Sequence, residues 1–336
     1  MSKVFIIAEL SANHGKDINI AIETIKTAKR AGADAIKLQT YTADTMTLNC
    51  NQEDFVINNG SIWDGQKFYE LYKEAYTPWE WHEKLFEVAK KEGLICFSSP
   101  FDKTAVDFLE KLDNPIYKIA SFEITDIPLI KYAASKMKPL IISTGIAEYE
   151  DIKLAVESCK AVGNNDITLL KCTSSYPAPI EEANLKMIQQ LEKDFNVKVG
   201  LSDHTLGITV PVVAVALGAT VIEKHFILDK SIGGPDASFS LDENEFTQMV
   251  KAVREAEQSL GNNDYKLTKK QIAGKAFARS LYVAENSKKG DVITEKNVRS
   301  IRPGFGLHPK YLEKILGKKF TKDVEKGERL NLKNLE

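Results

Sequence analysis

The sequence predicts a (β/α)8 TIM barrel followed by a small second domain. Eight short apolar runs, rich in β-branched residues, recur between residues 4 and 226. Helical patterns separate consecutive runs, and parallel strands require such crossovers. After Leu260 the pattern gives way to short strands and turns. Each run is nearly continuous in hydrophobicity, as strands covered on both faces are. Eight βα units of this length match a closed barrel, with a doubly wound open sheet as the alternative.

The runs fall at residues 4–11, 35–40, 94–99, 117–121, 140–145, 168–173, 197–202 and 220–226. The first helical pattern, 20–31, has apolar spacing, alanines and a closing Gly32. Similar patterns occupy 79–92, 103–112, 128–134, 150–161, 185–194, 208–217 and 243–260. The connection between Tyr41 and Tyr76 is long for a βα unit and carries Asp44, Trp63, Asp64 and Tyr72. Loops after barrel strands border the active site, so this one is expected to be a substrate lid; the plainer reading is an ordered cover over the barrel mouth. The expected boundaries are 1–261 for the barrel, 262–276 for a basic, polar linker and 277–336 for the small domain. A domain that small is marginal alone and is expected to dock on something.

Composition narrows the function. The 336 residues carry a net charge of -2, with Lys and Arg read as spread along the chain, so no basic stripe marks a nucleic-acid or membrane surface. The four cysteines, Cys50, Cys96, Cys159 and Cys172, fit neither a zinc nor a disulfide spacing. Cys96 and Cys172 lie in apolar runs and read as small core residues. No signal-peptide pattern precedes Val4 and no apolar run approaches membrane length, so a cytoplasmic, soluble protein is expected.

In a barrel of this kind the chemistry sits at the C-terminal strand ends. Those ends carry Glu9 with Asn13 and His14; Lys37 and Gln39; Ser98, Ser99 and Asp102; Lys118, Ser121 and Glu123; Ser143 and Thr144; Ser174, Ser175 and Tyr176; Ser202, Asp203 and His204; and Glu223, Lys224 and His225. Lysines in apolar strands are costly unless partnered, and either could pair with a structural carboxylate. Two of them, Lys37 and Lys118, with serines at neighbouring ends, suit a small, multiply charged phosphate or carboxylate. A Schiff-base pyruvate aldolase is the chemical rival for the same lysines. His204 and His225 stand on adjacent strand ends, and two imidazoles there point to a divalent metal such as Mn or Co. Glu223 is read as a further group at that metal. His82 and His308 have no such context and read as surface residues. Asp236, in Gly233-Gly234-Pro235-Asp236, is either turn chemistry or an acid/base carboxylate. Arg302 sits on a defined Pro/Gly loop, and Phe277 is either core or a stacking surface. A carbohydrate-binding module built around the small domain is the non-enzymatic alternative.

These residues stand in motifs that resemble the sialic acid synthases, most closely the branch that makes pseudaminic acid. The motifs include Ser11-Ala12-Asn13-His14, Lys37-Leu38-Gln39-Thr40, Ser98-Ser99-Pro100-Phe101, Tyr117-Lys118-Ile119-Ala120-Ser121, Ser202-Asp203-His204-Thr205, Glu223-Lys224-His225-Phe226, Gly234-Pro235-Asp236 and Arg302-Pro303-Gly304. They run in order over nearly the whole chain. The resemblance implies a barrel followed by an antifreeze-like (SAF) domain that caps the partner's barrel in a domain-swapped homodimer. It implies a phosphoenolpyruvate grip of Lys37, Ser99, Lys118, Ser121, Ser143 and Ser174, and metal ligands His204 and His225 for Mn, Mg or Co. Sugar contacts would be Gln39, Tyr176, Asp236, Phe277 and Arg302, and catalytic carboxylates Glu9, Glu123 and Asp236. The implied reaction joins phosphoenolpyruvate to an amino-sugar aldehyde, with release of phosphate; N-acetylneuraminate or legionaminate synthesis is the nearest alternative. Ser174 and Ser99 depart from the Asn and Thr of the neuraminate branch. Ile62-Trp63-Asp64-Gly65 and residues 71–79 follow the pseudaminic branch.

Overall fold

A computed structural model describes residues 3–58, 60 and 63–336, and Ile62 lies outside them. The chain divides into two compact units, Met1–Gly261 and Asn262–Glu336.

The first unit is a closed barrel of eight parallel strands in sequence order. Its elements run β1 (Phe5–Glu9), α1 (Ile18–Arg30), β2 (Ala35–Thr40), α2 (Ala43–Met46), α3 (Phe68–Ala75), α4 (Trp79–Glu92), β3 (Ile95–Pro100), α5 (Lys103–Lys111) and β4 (Tyr117–Ile119). They continue as α6 (Ile127–Ala134), β5 (Leu140–Ser143), α7 (Tyr149–Ala161), β6 (Ile167–Cys172), α8 (Met187–Phe195), β7 (Lys198–Asp203), α9 (Thr209–Ala216), β8 (Val221–His225) and α10 (Glu243–Leu260). β1 pairs with both β2 and β8, which closes the ring and rules out the open sheet.

Strand periodicity separates two faces. Ile6, Ala8, Ile36, Leu38, Leu140, Ile142, Leu169 and Ile222 point outward and pack with the helices. The alternate positions Ile7, Ala35, Phe97, Ile141, Leu170 and Val221 fill the lower barrel interior. Two residues further along the same strands stand Glu9, Lys37, Ser99, Ser143, Cys172 and Glu223. The interior is therefore apolar at the bottom and polar at the top, and the site residues share its inner face. At Gly200 a Cβ would meet the Val221 carbonyl oxygen at 2.5 Å and Leu170 Cδ2 at 2.7 Å, so only glycine fits where β7 closes on β8.

Several strands are shorter than their apolar runs. β1 stops at Glu9 because Ser11 turns into the left-handed region, at φ 47°. β4 stops at Ile119, and Ser121–Glu123 forms a single tight turn. The long connection after β2 is not a plain loop: it holds the two short helices α2 and α3. An antiparallel bridge between Val56 and Lys67 ties the excursion to itself, and Trp79 Nε1 donates to the Tyr41 carbonyl at 3.0 Å across its base.

The second unit is built on antiparallel strands after α11 (Lys269–Gly274): β9 (Ser280–Val283) and β10 (Val298–Ile301), followed by the short α12 (Leu312–Ile315). Leu281, Val283, Ile293, Val298, Phe320 and Leu330 form its own core. The loop at Arg302 is fixed from both sides: Ser280 Oγ donates to the Pro303 carbonyl at 2.6 Å, and the Gly304 N–H donates to the Ala276 carbonyl at 3.0 Å. Residues 262–336 contain 18 Lys and Arg against 9 Asp and Glu, so the basic residues are concentrated here rather than evenly spread. Among the described residues no helix is long and apolar enough to cross a membrane.

Candidate active site

The top of the barrel interior holds four buried charges. Lys37 Nζ lies 3.0 Å from Glu9 Oε2 and 3.1 Å from Glu223 Oε1, and Lys118 Nζ lies 3.6 Å from the same Glu223 oxygen. Strand register brings them together, with Lys37 opposite Glu9 and Glu223 opposite Ser202. Ser202 Oγ donates to Glu223 Oε1 at 3.1 Å. Burial raises the Glu9 carboxyl to about 7 against the pull of Lys37. Burial also opposes ionisation of Glu223, but Lys118 and Lys37 outweigh it and bring that carboxyl down to about 2. The lysines split: burial lowers Lys118 despite Glu223, whereas at Lys37 the two carboxylates overcome burial and raise it. Glu223 Oε1 thus faces the lysines, and its Oε2 is buried without a hydrogen-bond partner.

The expected anion-binding serines gather around this quartet. Lys118 donates to Ser143 Oγ at 2.7 Å, and Ser99 Oγ is buried without a hydrogen-bond partner. The Gly145 N–H donates to Ser121 Oγ at 3.2 Å. A Cβ at Gly145 would lie 2.0 Å from Ser174 Oγ and 2.8 Å from Ser121 Oγ, so a glycine is needed for the two hydroxyls to close in. Lysines beside converging hydroxyls and an N–H group are the donor set a phosphate or carboxylate requires.

Beside the anion seat lies a cavity of about 460 Å³, lined in part by Gln39, Glu123, Tyr176, His225 and Asp236. Gln39 Nε2 donates to Glu9 Oε1 and to Ser11 Oγ, both at 2.9 Å. Asp236 Oδ2 accepts the Ala12 N–H at 3.2 Å and sits 3.8 Å from His225 Nδ1. Burial raises the Asp236 carboxyl above its ordinary range. It also raises that of Glu123, to about 7, and Glu123 Oε2 has no hydrogen-bond partner. The His204 and His225 rings are 5.3 Å apart, and Tyr176 stacks obliquely on His204 at 4.5 Å.

The residues fit a divalent cation. Burial and the neighbouring His204 hold His225 well below its ordinary pKa, which leaves the neutral imidazole a metal needs, and its buried Nδ1 is without a hydrogen-bond partner. His204 Nδ1–H donates to the Thr173 carbonyl at 3.1 Å, which turns Nε2 toward a ligand; the adjacent Cys172 raises the His204 pKa against burial, so a cation would have to displace the Nε2 proton. Among the described residues no cluster of three or more His, Cys, Asp and Glu side chains is arranged to hold a metal, so the protein's share would be these two imidazoles.

Two expectations are corrected. His82 is fully buried on the inner face of α4, with its ring hydrogen-bonded to Thr40 Oγ1 at 2.9 Å and to the Pro78 carbonyl at 3.2 Å. Cys172 is more than core filling: its Sγ lies 3.7 Å from His204 Nδ1, and although burial opposes ionisation, His204 brings the thiol down to about 6. Sequence reasoning gave no role to Asn13, whose Nδ2 donates to Ser240 Oγ at 2.8 Å and to the Phe226 carbonyl at 3.1 Å; Ser240 in turn donates to the Asp236 carbonyl at 2.7 Å. It joins the loops after β1 and β8 beneath Asp236. Lys224, outside the barrel interior, is a structural lysine held by Asp203 Oδ2 at 2.5 Å. Phe277 and Arg302 belong to the second unit, where both side chains are exposed.

A closed parallel barrel with a buried anion seat, two imidazoles and a cavity bearing polar groups on its barrel side defines an enzyme acting on a small anion and a second substrate with polar groups. The chain belongs to the NeuB family, that of the sialic acid synthases: the NeuB family model matches residues 24–265 and a SAF domain matches residues 278–336. It is 54% identical to the pseudaminic acid synthase of Campylobacter jejuni, over 98% of this chain and 95% of that one. It is 48% identical to the pseudaminic acid synthase of Helicobacter pylori, over 98% and 97%. A crystal structure of the sialic acid synthetase from Leptospira borgpetersenii superposes with a TM-score of 0.73 at 32% identity, covering 81% of this chain and 90% of that one.

Proposed function

We propose that the chain is a pseudaminic acid synthase, which joins phosphoenolpyruvate, water and 2,4-diacetamido-2,4,6-trideoxy-L-altrose into a nine-carbon sugar acid and phosphate. The observation that carries this reading is the placement of Lys37, Lys118 and the Ser99, Ser121, Ser143 and Ser174 hydroxyls immediately beside a cavity rimmed by Gln39, Tyr176, Asp236 and His225. Identity to curated pseudaminic acid synthases over nearly the full chain supports the sugar.

In this mechanism Lys37 and Lys118 hold the carboxylate and phosphate of phosphoenolpyruvate, and Gln39 and Asp236 orient the open-chain sugar. Carbon 3 of phosphoenolpyruvate attacks the aldehyde carbon. A divalent cation at His204 and His225 (Mn, Mg or Co) supplies Lewis-acid polarisation of that aldehyde when bound. Positive character develops at carbon 2, beside the buried anionic groups. Water adds there and gives up a proton, for which Glu9 and Glu123 are poised near neutrality. The C–O bond to phosphate then breaks, and phosphate leaves from the lysine-lined seat.

The active assembly in this proposal is a domain-swapped cytoplasmic homodimer. Support comes from exposed apolar residues on four successive loops at the barrel mouth, Phe122, Ile146, Ile180 and Leu206, and from the exposed Phe277 of the second unit. Phe277 and Arg302 would then complete the partner's sugar site.

The test is phosphate release from phosphoenolpyruvate with Mn²⁺, comparing the trideoxy sugar with N-acetylmannosamine. Release with the first, abolished by a chelator, is expected. Release only with the second would move the chain to the neuraminate branch. A borohydride-trapped pyruvate adduct on Lys37 or Lys118 would replace the mechanism by Schiff-base chemistry.

A further inference from the structure

Helix α3 has an unusual environment. Its sequence is amphipathic, with Phe68, Leu71, Tyr72 and Ala75 at the i, i+3, i+4, i+7 spacing of one face. Such a face normally lies against a core, yet no residue of α3 is buried. All four instead line the cavity above the site. Met46 and Ile57 of the same excursion line it too. Tyr72 packs edge-on against Tyr41, with ring centroids 5.8 Å apart, and Tyr41 in turn against Phe101 at 5.1 Å.

The cavity therefore has two unlike ends. The polar groups Gln39, Glu123, Asp236 and His225 occupy the barrel side. On the excursion side the described lining residues carry no charged group. A ligand matching both has a polar, reactive head and an apolar terminal carbon.

We propose that the inward face of α3 is the specificity-determining subsite for the deoxygenated end of the sugar, with Leu71 and Ala75 as its selective contacts. The inference rests on the synthase reading above and adds the group that chooses among sugars. A 6-methyl group buried there leaves no polar atom unpaired. A 6-hydroxyl set against the Leu71 and Ala75 side chains loses water without gaining a partner from them, and a hydrophobic pocket discriminates against one hydroxyl by about 10- to 100-fold.

The experiment measures phosphate release with phosphoenolpyruvate and two sugars differing at one atom: the 2,4-diacetamido-2,4,6-trideoxy hexose and its 6-hydroxy analogue. The wild-type enzyme is expected to favour the deoxy sugar by about 10- to 100-fold in kcat/KM. Leu71→Asn is expected to narrow that ratio by roughly 10-fold, chiefly through KM for the deoxy sugar, with KM for phosphoenolpyruvate unchanged. Ala75→Ser, which adds one hydroxyl at a half-buried helix position, is expected to fold normally and move the ratio in the same direction. Equal losses for both sugars in these variants, or no wild-type preference, would overturn the assignment. Absence of phosphate release by the wild type with either sugar would instead overturn the synthase reading itself.

Discussion

Two residues at the barrel mouth show how differently sequence and structure reveal a role. Gly145 has no side chain to interpret, yet the absent Cβ is what lets Ser174 and Ser121 close on the anion seat. Gly145→Ala is expected to raise KM for phosphoenolpyruvate at least about 10-fold, because the methyl group must displace Ser174; steady-state phosphate release checks it. His82 looked unremarkable in sequence because a single histidine on a helix gives no hint of which face it occupies. Burial holds it neutral and lowers its pKa to about 4, from an unfolded value of 6.5. The unfolded chain therefore binds more protons between pH 6.5 and 4, so stability falls as pH falls through that window, by roughly 3 kcal/mol. Urea titrations of wild type and His82→Gln across that range should show the variant losing this part of the slope. Lys37 and Lys118, by contrast, were legible: a lysine in an apolar strand demands a partner. That the partner would be Glu223 was not, since the Glu223–Lys224–His225 run alternates faces and only the barrel interior shows which residue points where.

At the scale of elements, the eight strands were legible because a strand buried on both faces is apolar without interruption. α2 and α3 were not, because they are short and the face of α3 has no core partner whose pattern would complement it. The barrel's tightest closure is at Gly200 on β7, where any side chain meets β8 backbone and Leu170. Gly200→Ala is expected to destabilise the fold by about 2 kcal/mol or more, since neither the Val221 carbonyl nor the β7–β8 pairing can move aside. Equilibrium denaturation measures it; a loss well under 1 kcal/mol would mean that β7 and β8 are more compliant than their geometry implies.

For the whole molecule, the even charge read from the full sequence conceals a division. The second unit carries twice as many basic as acidic residues, so the barrel unit holds the compensating acidic excess. In the proposed homodimer this asymmetry would draw unlike units of different chains together. Raising salt from 0.1 to 1 M shortens the screening length from about 10 to about 3 Å. Sedimentation equilibrium should then show the monomer–dimer balance moving toward monomer. A salt-independent dimer would place its stability in apolar contacts instead. The composition of a whole chain cannot show such a division; counting by unit can.

The buried quartet of Glu9, Lys37, Lys118 and Glu223 has a consequence for how this enzyme changes over generations. Removing Lys37, Lys118 or Glu223 leaves an uncompensated charge inside the barrel, at a cost of about 3–5 kcal/mol, whereas Glu9, raised to about 7, can give up its charge while Lys37 keeps Glu223. A library of single substitutions would therefore score Lys37, Lys118 and Glu223 as forbidden, whatever each contributes to turnover, and would confuse a folding constraint with a catalytic one. Variation at this centre has to proceed through paired replacements that keep the sum of charges. A double-substitution library over Glu223 and Lys118 would separate the residues kept for chemistry from those kept for neutrality.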